Sequence, residues 1–435
     1  VDCIVCDYNY AFDPRAYLRR YFEEGGDYIL LVDEAHNLVD RAREMFSASL
    51  TKSSFMNLKR DIKQSAPDVY RLLNKINKFF IELRKRFEKK YETLTIVLPT
   101  DIYQLINSFI EECESYLFQS RNVKINDALL ELFFDCLSFT AVYRLYDDRY
   151  ITYITRTDSD VTIKLFCIDP SHLLNEACKK GRTSIFFSAT LMPLKYYVDM
   201  LGGDEADRVA ILPSSFDRSN MCLMIIGNLS TRYKDRGKSL KAIVNYIKST
   251  TGQRLGNYLV FFPSFEYMKA ATDLYKENWP EDQIIIQNRS ITEKEREDFL
   301  LSFKEQPDKT LIGFAVLGGI FSEGIDLVGE KLSGVIIVGV GLPQICDERD
   351  IIKDYFNGTN KMGYEYSYRY PGMNRVLQAS GRVIRTEQDR GFIMLIDDRF
   401  LQMSYLEMFP EEWSNYKRIF DPGSVRKALD RFWLN

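Results

Sequence analysis

The pattern of apolar runs along the chain predicts buried parallel strands that alternate with helices. The run at residues 28–32 follows Gly25 and Gly26 and is apolar or aromatic throughout, which indicates a strand buried on both faces of a parallel sheet. A second run of this kind lies at residues 184–187. Polar residues follow both runs, and open α/β sheets bind ligands at the carboxyl ends of their strands. We therefore expect one ligand-binding edge that receives side chains from both strands.

The second half of the chain repeats this rhythm and predicts a complete parallel sheet. Apolar stretches recur after residue 217, with helical segments between most of them. Right-handed crossovers between such strands give an open α/β sheet. The candidate strands are residues 221–226, 258–262, 283–287, 310–315, 334–340 and 391–396.

A helical pattern interrupts the first α/β domain. Apolar residues recur at spacings of three and four between residues 69 and 87, and further helices are predicted at about residues 101–120 and 127–145. A hairpin at residues 150–167 then leads back to the first sheet. The predicted division is residues 1–48 and 150–195 for the two parts of the first α/β domain, 49–149 for an all-helical insertion and 196–435 for the second α/β domain, with the linker between 193 and 217.

The insertion divides into two halves of opposite charge. Residues 51–93 contain twelve Lys or Arg against five Asp or Glu, whereas residues 101–148 contain nine acidic residues against three basic ones. These charges either form ion pairs between the helices of a solvated bundle or give a basic face that guides DNA. The candidate residues of that face are Arg84, Lys85, Arg86, Lys89 and Lys90.

Composition narrows the class of protein. The net charge of -4 gives no global attraction to nucleic acid, so a nucleic-acid surface must be a local basic patch. Eight scattered cysteines favour a reducing compartment. No apolar run reaches the length of about 18 residues that spans a bilayer. We expect a soluble, monomeric protein without a membrane partner, cytoplasmic if its source is archaeal or bacterial and nuclear if it is eukaryotic.

Two carboxylates at the end of the first strand are the leading candidates for chemistry. Asp33 and Glu34 directly follow the apolar run. A hard divalent cation prefers carboxylate oxygen, and nucleotide phosphates can complete its shell, so Asp33 is a candidate Mg²⁺ ligand and Glu34 a candidate orienter of an attacking water. The alternative is an acidic turn in which Asp33 or Glu34 caps the following helix.

Two segments of the second domain carry further candidates. The glycine-rich stretch at residues 318–326 contains Glu323, Gly324 and Asp326, and glycines of this kind allow backbone to approach a ligand closely. Gln378, Arg382 and Arg385 are predicted to share one face of a helix at steps of four and three residues. A guanidinium pair presented in this way suits the charge on a transferring γ-phosphate. The alternative is a pair of surface arginines bound to acidic side chains.

Together these motifs resemble the XPD-type helicases of superfamily 2, close to the DinG branch. The match includes the tetrapeptide Asp33-Glu34-Ala35-His36, a DEAH box, and the order and rough spacing of four further motifs. These motifs are residues 188–191, 261–265, 321–326 and 378–385. The resemblance implies two RecA-like domains, with the helical insertion as the arch under which single-stranded DNA passes. It also implies an ATP- and Mg²⁺-dependent 5′-to-3′ DNA helicase that acts on forked duplex, in nucleotide excision repair with repair-complex proteins.

The resemblance assigns expected roles to individual residues. Asp33 would hold Mg²⁺, Glu34 would activate water, and His36 with Ser188 and Thr190 would relay the nucleotide state toward DNA. From the second domain, Glu323, Gly324 and Asp326 would bind or couple the nucleotide, while Gln378, Arg382 and Arg385 would close on the γ-phosphate. The candidates for base stacking and contact with the DNA backbone are Phe262, Ser264, Tyr366, Tyr368 and Arg369. Because aromatic residues make up 14% of the chain, the alternative role of each aromatic among them is core packing.

The chain departs from the family pattern in two ways. It contains no G-x-x-x-x-G-K-(S or T) motif. The nearest candidate, Gly237-Lys238-Ser239, has Arg232 at the position that the first glycine of the motif must occupy. The chain also lacks four cysteines placed for the family's 4Fe–4S cluster. We therefore expect the C-terminal portion of a longer protein, with both features upstream, and no ATP turnover by these 435 residues alone. The competing hypothesis is a non-catalytic, helicase-like scaffold that binds DNA or protein partners.

Overall fold

A computed structural model of the chain describes residues 2–23, 25–87, 93–98, 100–119, 127–158, 160–321, 327 and 329–434. The chain divides into two compact units, residues 1–207 and residues 208–435. None of the helices in the described ranges combines the length and the apolarity needed to cross a membrane.

The first unit contains a parallel strand pair and a large insertion between its two strands. Its helices are α1 Asn9–Phe12, α2 Arg19–Phe22, α3 Leu38–Met45, α4 Lys52–Ile62, α5 Pro67–Lys85, α6 Thr100–Gln119, α7 Asp127–Leu145, α8 Ser171–Cys178 and α9 Leu194–Met200. Its strands are β1 Ile29–Val32, β2 Ala48–Thr51, β3 Thr93–Ile96, β4 Tyr150–Arg156, β5 Val161–Cys167 and β6 Thr183–Phe186. As predicted, β1 and β6 are parallel neighbours, with Val32 opposite Phe186.

The burial of β1 differs from the prediction. Val32 is only 5% exposed, but Ile29 and Leu31 are 60% and 66% exposed. Successive side chains of a strand point to opposite faces, and one face of the β1–β6 pair is not covered by the described residues. The prediction of a strand buried on both faces is therefore wrong for this unit.

The insertion is a helical bundle joined to a small antiparallel sheet. Phe55 of α4 lies 5.8 Å from Phe80 of α5 and 6.0 Å from Phe109 of α6, ring centroid to ring centroid. All three rings are fully buried. The predicted hairpin is present as β4 and β5, and β3 and β2 extend it in the order β2-β5-β4-β3. The insertion is thus not wholly helical, because the short Thr- and Ile-containing strand β3 pairs along β4.

The second unit is a seven-stranded parallel sheet. Its helices are α10 Arg236–Thr251, α11 Phe265–Asn278, α12 Glu293–Leu301, α13 Asp347–Thr359, α14 Tyr370–Ser380, α15 Met403–Leu406 and α16 Pro422–Leu434. Its strands are β7 Met221–Ile226, β8 Asn257–Phe262, β9 Gln283–Ile286, β10 Leu311–Val316, β11 Gly334–Val338, β12 Gly391–Ile396 and β13 Lys417–Arg418. The strand order is β13-β7-β12-β11-β8-β10-β9.

All six predicted strands of this sheet are confirmed to within a few residues. Their apolar runs are legible in the sequence because helices cover the sheet, so that strands such as β8 and β12 are buried at every position. The additional strand β13 has two residues, which is too short to give an apolar run. The α/β fold with parallel sheets in both units agrees with the sequence prediction.

The aromatic cluster of the insertion should contribute strongly to the stability of the first unit. We expect Phe55→Ala to lower the free energy of unfolding by about 3–5 kcal/mol, because the substitution leaves a cavity beside Phe80 and Phe109. Urea unfolding measures this change. Phe134→Ala is the matched control, since that ring is 59% exposed. An equal loss in both variants would contradict the assignment of this core.

Candidate active site

The acidic turn after β1 has a strained backbone. Glu34 adopts the left-handed conformation, with φ 47° and ψ 40°. For a residue other than glycine this conformation costs about 1–2 kcal/mol. The Glu34 N–H donates to Asp33 Oδ1 at 2.7 Å, and neither carboxylate provides a side-chain cap for the helical turns that follow. The helix-capping alternative is therefore wrong, and the strain is of the kind found at functional turns.

The hydroxyl-rich turn after β6 lies beside this acidic turn. The strand pairing continues past both strand ends, because Phe187 N–H donates to the Val32 carbonyl at 3.0 Å and Ala35 N–H donates to the Phe187 carbonyl at 3.1 Å. This register places Ser188 Oγ at 2.7 Å from His36 Nδ1 and 3.2 Å from Glu34 Oε2. Two predicted strand-end motifs thus meet at one edge of the sheet.

Thr190 completes a small polar network. Its Oγ1 lies 3.2 Å from His36 Nδ1, and its backbone N–H donates to Ser188 Oγ at 3.2 Å. His36 Nδ1 is also 3.3 Å from Glu34 Oε2. The single Ser188 proton can go to only one of three neighbouring groups: the Glu34 carboxylate, the His36 ring nitrogen or the Thr190 hydroxyl. A change at one group therefore changes the hydrogen bonds of the others.

Burial controls the charge of this network. The His36 side chain is 2% exposed, whereas that of Glu34 is 60% exposed. Burial lowers the pKa of His36, and the nearby Glu34 and Asp33 carboxylates only partly oppose this effect. The imidazole is therefore neutral near neutral pH, while the Glu34 carboxylate faces solvent. A neutral ring beside an exposed carboxylate can orient hydrogen bonds without adding positive charge.

The donor set suits a cation that is bound together with a phosphate. Asp33 and Glu34 present exposed carboxylate oxygens, the ligands that Mg²⁺ prefers. In the described ranges, no cluster of three or more His, Cys, Asp or Glu residues could hold a metal ion. A Mg²⁺ ion at Asp33 would therefore take most of its shell from water and nucleotide phosphates, which is its usual arrangement in ATP-hydrolysing proteins.

Tyr8 contacts the acidic turn from an earlier segment, a contact that the sequence analysis did not predict. Its single hydroxyl proton is shared in a three-centre hydrogen bond between the backbone carbonyl of Asp33, 2.5 Å from the hydroxyl oxygen, and that of Glu34, at 3.0 Å. Burial, followed by the charges of Glu34 and Asp33, raises the pKa of Tyr8 to about 12. The phenol is therefore protonated and acts as a donor. Because Tyr8 and Asp33 are 25 residues apart, no local sequence pattern could have revealed this contact.

The arginine motif of the second unit lies only partly on a helix. Gln378 is in α14 and is 9% exposed, but α14 ends at Ser380, and Arg382 and Arg385 follow it. The prediction that all three share one helical face is therefore wrong. The cause is the turn at Gly381, after which the backbone N–H of Arg385 donates to Asp389 Oδ2 at 2.7 Å and directs the chain toward β12. Arg382 is half-buried and Arg385 is exposed.

The glycine-rich segment is described only at its start. Gly318 has φ +71°, and a Cβ there would lie 2.8 Å from Arg375 Nε, so glycine is required at this position. Glu323, Gly324 and Asp326 lie outside the described residues. Their predicted role in nucleotide binding or coupling therefore stays a prediction.

Three of the expected DNA contacts are core residues instead. Phe262 is fully buried between Tyr267 and Phe314. Tyr366 is 3% exposed and Tyr368 is 6% exposed, because both lie in a buried π-helical turn, Glu365–Arg369. Base stacking needs an open ring face, so these three rings fit the alternative of core packing within the second unit. Contact of these residues with the DNA backbone stays a prediction.

The other two expected DNA contacts, Ser264 and Arg369, make contacts within the second unit but remain partly accessible to solvent. Ser264 is the N-cap of α11, where its Oγ accepts the Tyr267 N–H at 3.3 Å. Arg369 pairs with Glu365 at 3.0 Å and lies over the rings of Tyr364 and Tyr405. Both side chains are half-buried, so a role in DNA binding stays a prediction for each.

The sequence analysis also did not predict a buried ionic network at the carboxyl ends of β7 and β12. Asp397 is fully buried and accepts hydrogen bonds from Thr231 N at 3.1 Å and Arg399 Nε at 2.7 Å. Burial alone would raise the pKa of Asp397, but the hydrogen bonds and charge of Arg399, together with Thr231, outweigh it and lower the pKa. The network ties the loop after β7 to the end of β12. The sequence signal was the Asp397-Asp398-Arg399 triplet, which does not reveal Thr231 as its partner.

Two family models match the chain. The one described as DEAD_2 matches residues 1–55, and the one described as the helicase C-terminal domain matches residues 243–416. The first includes the acidic turn and Tyr8, and the second includes Gln378, Arg382 and Arg385. The matched segments occur in the same order as the motifs identified in the sequence.

Curated relatives carry helicase names. The chain is 24% identical to the ATP-dependent DNA helicase CHL1 of Debaryomyces hansenii over 86% of this chain and 53% of that protein. It is 24% identical to the ATP-dependent DNA helicase XPD of Sulfolobus acidocaldarius over 92% of this chain and 70% of that protein. A regulator of telomere elongation helicase 1 homolog of Aedes aegypti is 29% identical over 63% of this chain and 30% of that protein. The chain spans about half the length of the CHL1 relative and less of the Aedes one.

Solved structures share the fold. The structure of S. tokodaii Xpd4 has a TM-score of 0.64 and 15% identity, covering 95% of this chain and 81% of that chain. A structure named XPD_APO has a TM-score of 0.59 and 19% identity, with the same coverage of both chains. At these identities the likeness shows the fold alone.

Burial of His36 should make the first unit sensitive to acid. Because its pKa is lowered in the folded state, the unfolded chain binds the proton more readily below about pH 6.5. The contribution of the neutral ring to stability is therefore complete above about pH 6.5 and is lost as the pH falls toward the folded-state pKa. Urea unfolding of the first unit, repeated across this range, should give a flatter pH profile for His36→Asn than for wild type.

The only other histidine provides the control. His172 is exposed on α8. We expect His172→Asn to keep the wild-type pH profile. If His172→Asn flattens the profile and His36→Asn does not, the buried His36 network is not the source of the acid sensitivity.

Proposed function

Since the chain belongs to the XPD-type helicases of superfamily 2, we propose that it couples Mg²⁺-ATP hydrolysis to 5′-to-3′ translocation on single-stranded DNA. The observation that carries this proposal is the meeting of Glu34 and His36 with Ser188 and Thr190 at one edge of the β1–β6 pair. This network links the carboxylate proposed to act on water to a second strand end. Unwinding of forked duplex DNA, and a role with repair-complex proteins in nucleotide excision repair, follow from the family resemblance.

The proposed chemistry divides the work between two neighbouring carboxylates. Asp33 holds Mg²⁺, which when bound neutralises charge on the nucleotide phosphates. Glu34 accepts a proton from the attacking water, and its exposure leaves room for that water. Ser188 fixes the position of the Glu34 carboxylate by donating to Oε2, and His36 Nδ1 lies 3.3 Å from the same oxygen. Thr190 and Ser188 transmit a change at this carboxylate to the loop after β6.

The second unit is proposed to supply positive charge to the same reaction. Arg382 and Arg385 stabilise the charge that develops on the γ-phosphate, and Gln378 orients groups beside them. The support is their common position just before β12, with Asp389 holding the backbone of Arg385. Glu323, Gly324 and Asp326 are proposed to couple nucleotide and DNA from the glycine-rich segment.

The DNA track is proposed to include a basic face of the insertion. Arg71, Lys75, Lys78 and Lys85 are exposed on α5 and lie within about a quarter of the helix circumference. The neighbouring helix α6 carries four acidic residues and no basic one. A phosphate backbone would therefore be attracted to α5 and repelled by α6. Arg84 instead donates to the Asp158 carbonyl at 3.3 Å, while Lys89 and Lys90 lie outside the described residues.

Loss of the Glu34 carboxylate tests the proposed reaction. In the complete natural protein, we expect Glu34→Gln to lower kcat for DNA-stimulated ATP hydrolysis by about 100-fold or more, because the proton acceptor is removed. Steady-state phosphate release measures kcat. Glu44→Gln is the matched control, since Glu44 is exposed on α3 and pairs only with Arg41 among the described residues. An unchanged kcat in Glu34→Gln would contradict the proposal.

The 435 residues alone provide a second arm of this test. Without a phosphate-cradling motif, we propose that they bind single-stranded DNA but do not hydrolyse ATP. Measurable DNA-stimulated hydrolysis by this chain would overturn that part of the proposal. DNA binding without any turnover by the complete natural protein would favour the scaffold alternative.

Neutralising the α5 face should weaken the salt dependence of DNA binding. For single strands, each phosphate neutralised contributes about 0.7 to the slope of log affinity against log salt concentration. We expect the triple variant Lys75→Gln, Lys78→Gln and Lys85→Gln to lower the slope by about 2. Fluorescence anisotropy with a labelled oligonucleotide, repeated at several salt concentrations, measures it.

The control carries the same charge change on the second unit. Lys269→Gln, Lys276→Gln and Lys294→Gln remove three exposed lysines from α11 and α12. The α5 proposal fails if both triple variants lower the slope equally, or if neither does.

A further inference from the structure

Tyr8 makes a contact that selects one backbone conformation of the acidic turn. Its hydroxyl reaches two successive carbonyls, those of Asp33 and Glu34, at 2.5 and 3.0 Å. Successive carbonyls of an extended strand point in opposite directions. Helical φ and ψ values of either hand align successive peptide dipoles and turn both carbonyls to the same side. One donor can therefore bind both carbonyls because Glu34 is in the left-handed conformation.

We propose that Tyr8 is a positioning residue that holds Glu34 in its left-handed conformation and so keeps the carboxylate on Ser188 and His36. The left-handed backbone is unfavourable for glutamate, so it needs a compensating interaction. The three-centre hydrogen bond from the hydroxyl stabilises this conformation, since an extended turn would leave only one of the two carbonyls within its reach. The inference rests on the proposed function only in giving the Glu34 carboxylate a catalytic purpose.

The position of Tyr8 is itself fixed by its surroundings. The Tyr8 carbonyl accepts hydrogen bonds from Ala11 N–H at 3.0 Å and Phe12 N–H at 2.9 Å, so the residue is the N-cap of α1. The Phe12 ring is 5% exposed and anchors this short helix. The adjacent Asp7 lies 4.0 Å from Arg41 of α3. The phenol is therefore presented by a segment that is held on the same helix that follows the acidic turn.

The proposal predicts a local loosening when the hydroxyl is removed. The Ala35 and Asn37 N–H groups report on the turn, because they donate to the carbonyls of Phe187 and Glu34. We expect Tyr8→Phe to speed hydrogen–deuterium exchange of the peptide spanning residues 33–37 about fivefold, the effect of losing one ordinary hydrogen bond. The experiment uses the 435-residue chain and needs no enzymatic turnover.

Two further variants make this test specific. Tyr10→Phe removes the hydroxyl of a neighbouring ring that is 46% exposed, and should leave exchange at wild-type rates. Glycine adopts the left-handed conformation without strain. Adding Glu34→Gly to Tyr8→Phe should therefore slow exchange back toward the wild-type rate, because the left-handed backbone then needs no compensation. Exchange that is unchanged in Tyr8→Phe, equally raised in Tyr10→Phe, or not slowed by the added Glu34→Gly would overturn the proposal.

An activity measurement separates this inference from the proposed function. In the complete natural protein, Tyr8→Phe should lower kcat for DNA-stimulated ATP hydrolysis about fivefold and leave KM for ATP unchanged, because the carboxylate loses its position while nucleotide binding is kept. If Tyr8→Phe speeds exchange but even the wild-type protein does not hydrolyse ATP, the proposed function is refuted and the positioning role of Tyr8 is supported. If Tyr8→Phe speeds exchange but keeps a normal kcat, Tyr8 still positions the turn, but the catalytic purpose given to that role is overturned.

Discussion

The parallel pairing of β1 with β6 is the constraint on which the candidate active site depends. The two strands are separated by the whole insertion, yet their register continues beyond the strand ends through Ala35 and Phe187. This register brings Glu34 and His36 within hydrogen-bonding distance of Ser188. A slip of one residue would turn each side chain to the other face of the sheet and separate the carboxylate from the hydroxyl.

The two units hold the loops at the carboxyl ends of their parallel strands in place by different interactions. In the first unit, the exposed carboxylates of Asp33 and Glu34 lie on a strained turn, and the hydroxyl of Tyr8 stabilises the backbone of that turn. In the second unit, the buried pair of Asp397 and Arg399 ties the loop after β7 to the end of β12. Both devices rigidify loops at the carboxyl ends of parallel strands, where α/β sheets bind ligands. Under the proposed function, rigid loops would keep the reacting groups in place without a further cost in conformational entropy.

Sequence reasoning succeeded where long apolar runs or intact motifs carried the signal. The six main strands of the second unit were predicted because buried parallel strands are apolar at every position. The meeting of the two strand ends at Glu34 and Ser188 was predicted from the polar residues that directly follow two apolar runs. It failed where tertiary packing decided the outcome. Gly381 ends α14 before Arg382, and the Tyr8 contact joins distant segments. Such contacts leave no local periodicity to detect.

The central proposal is that acidic groups of the first unit and guanidinium groups of the second act on one nucleotide. The most direct measurement is the affinity of the complete natural protein, bound to single-stranded DNA, for ADP with Mg²⁺ and aluminium fluoride, a mimic of the transferring phosphoryl group. The account predicts that Asp33→Asn and the double variant Arg382→Ala with Arg385→Ala each weaken this affinity about 100-fold or more. Wild-type affinity in the double arginine variant would contradict it.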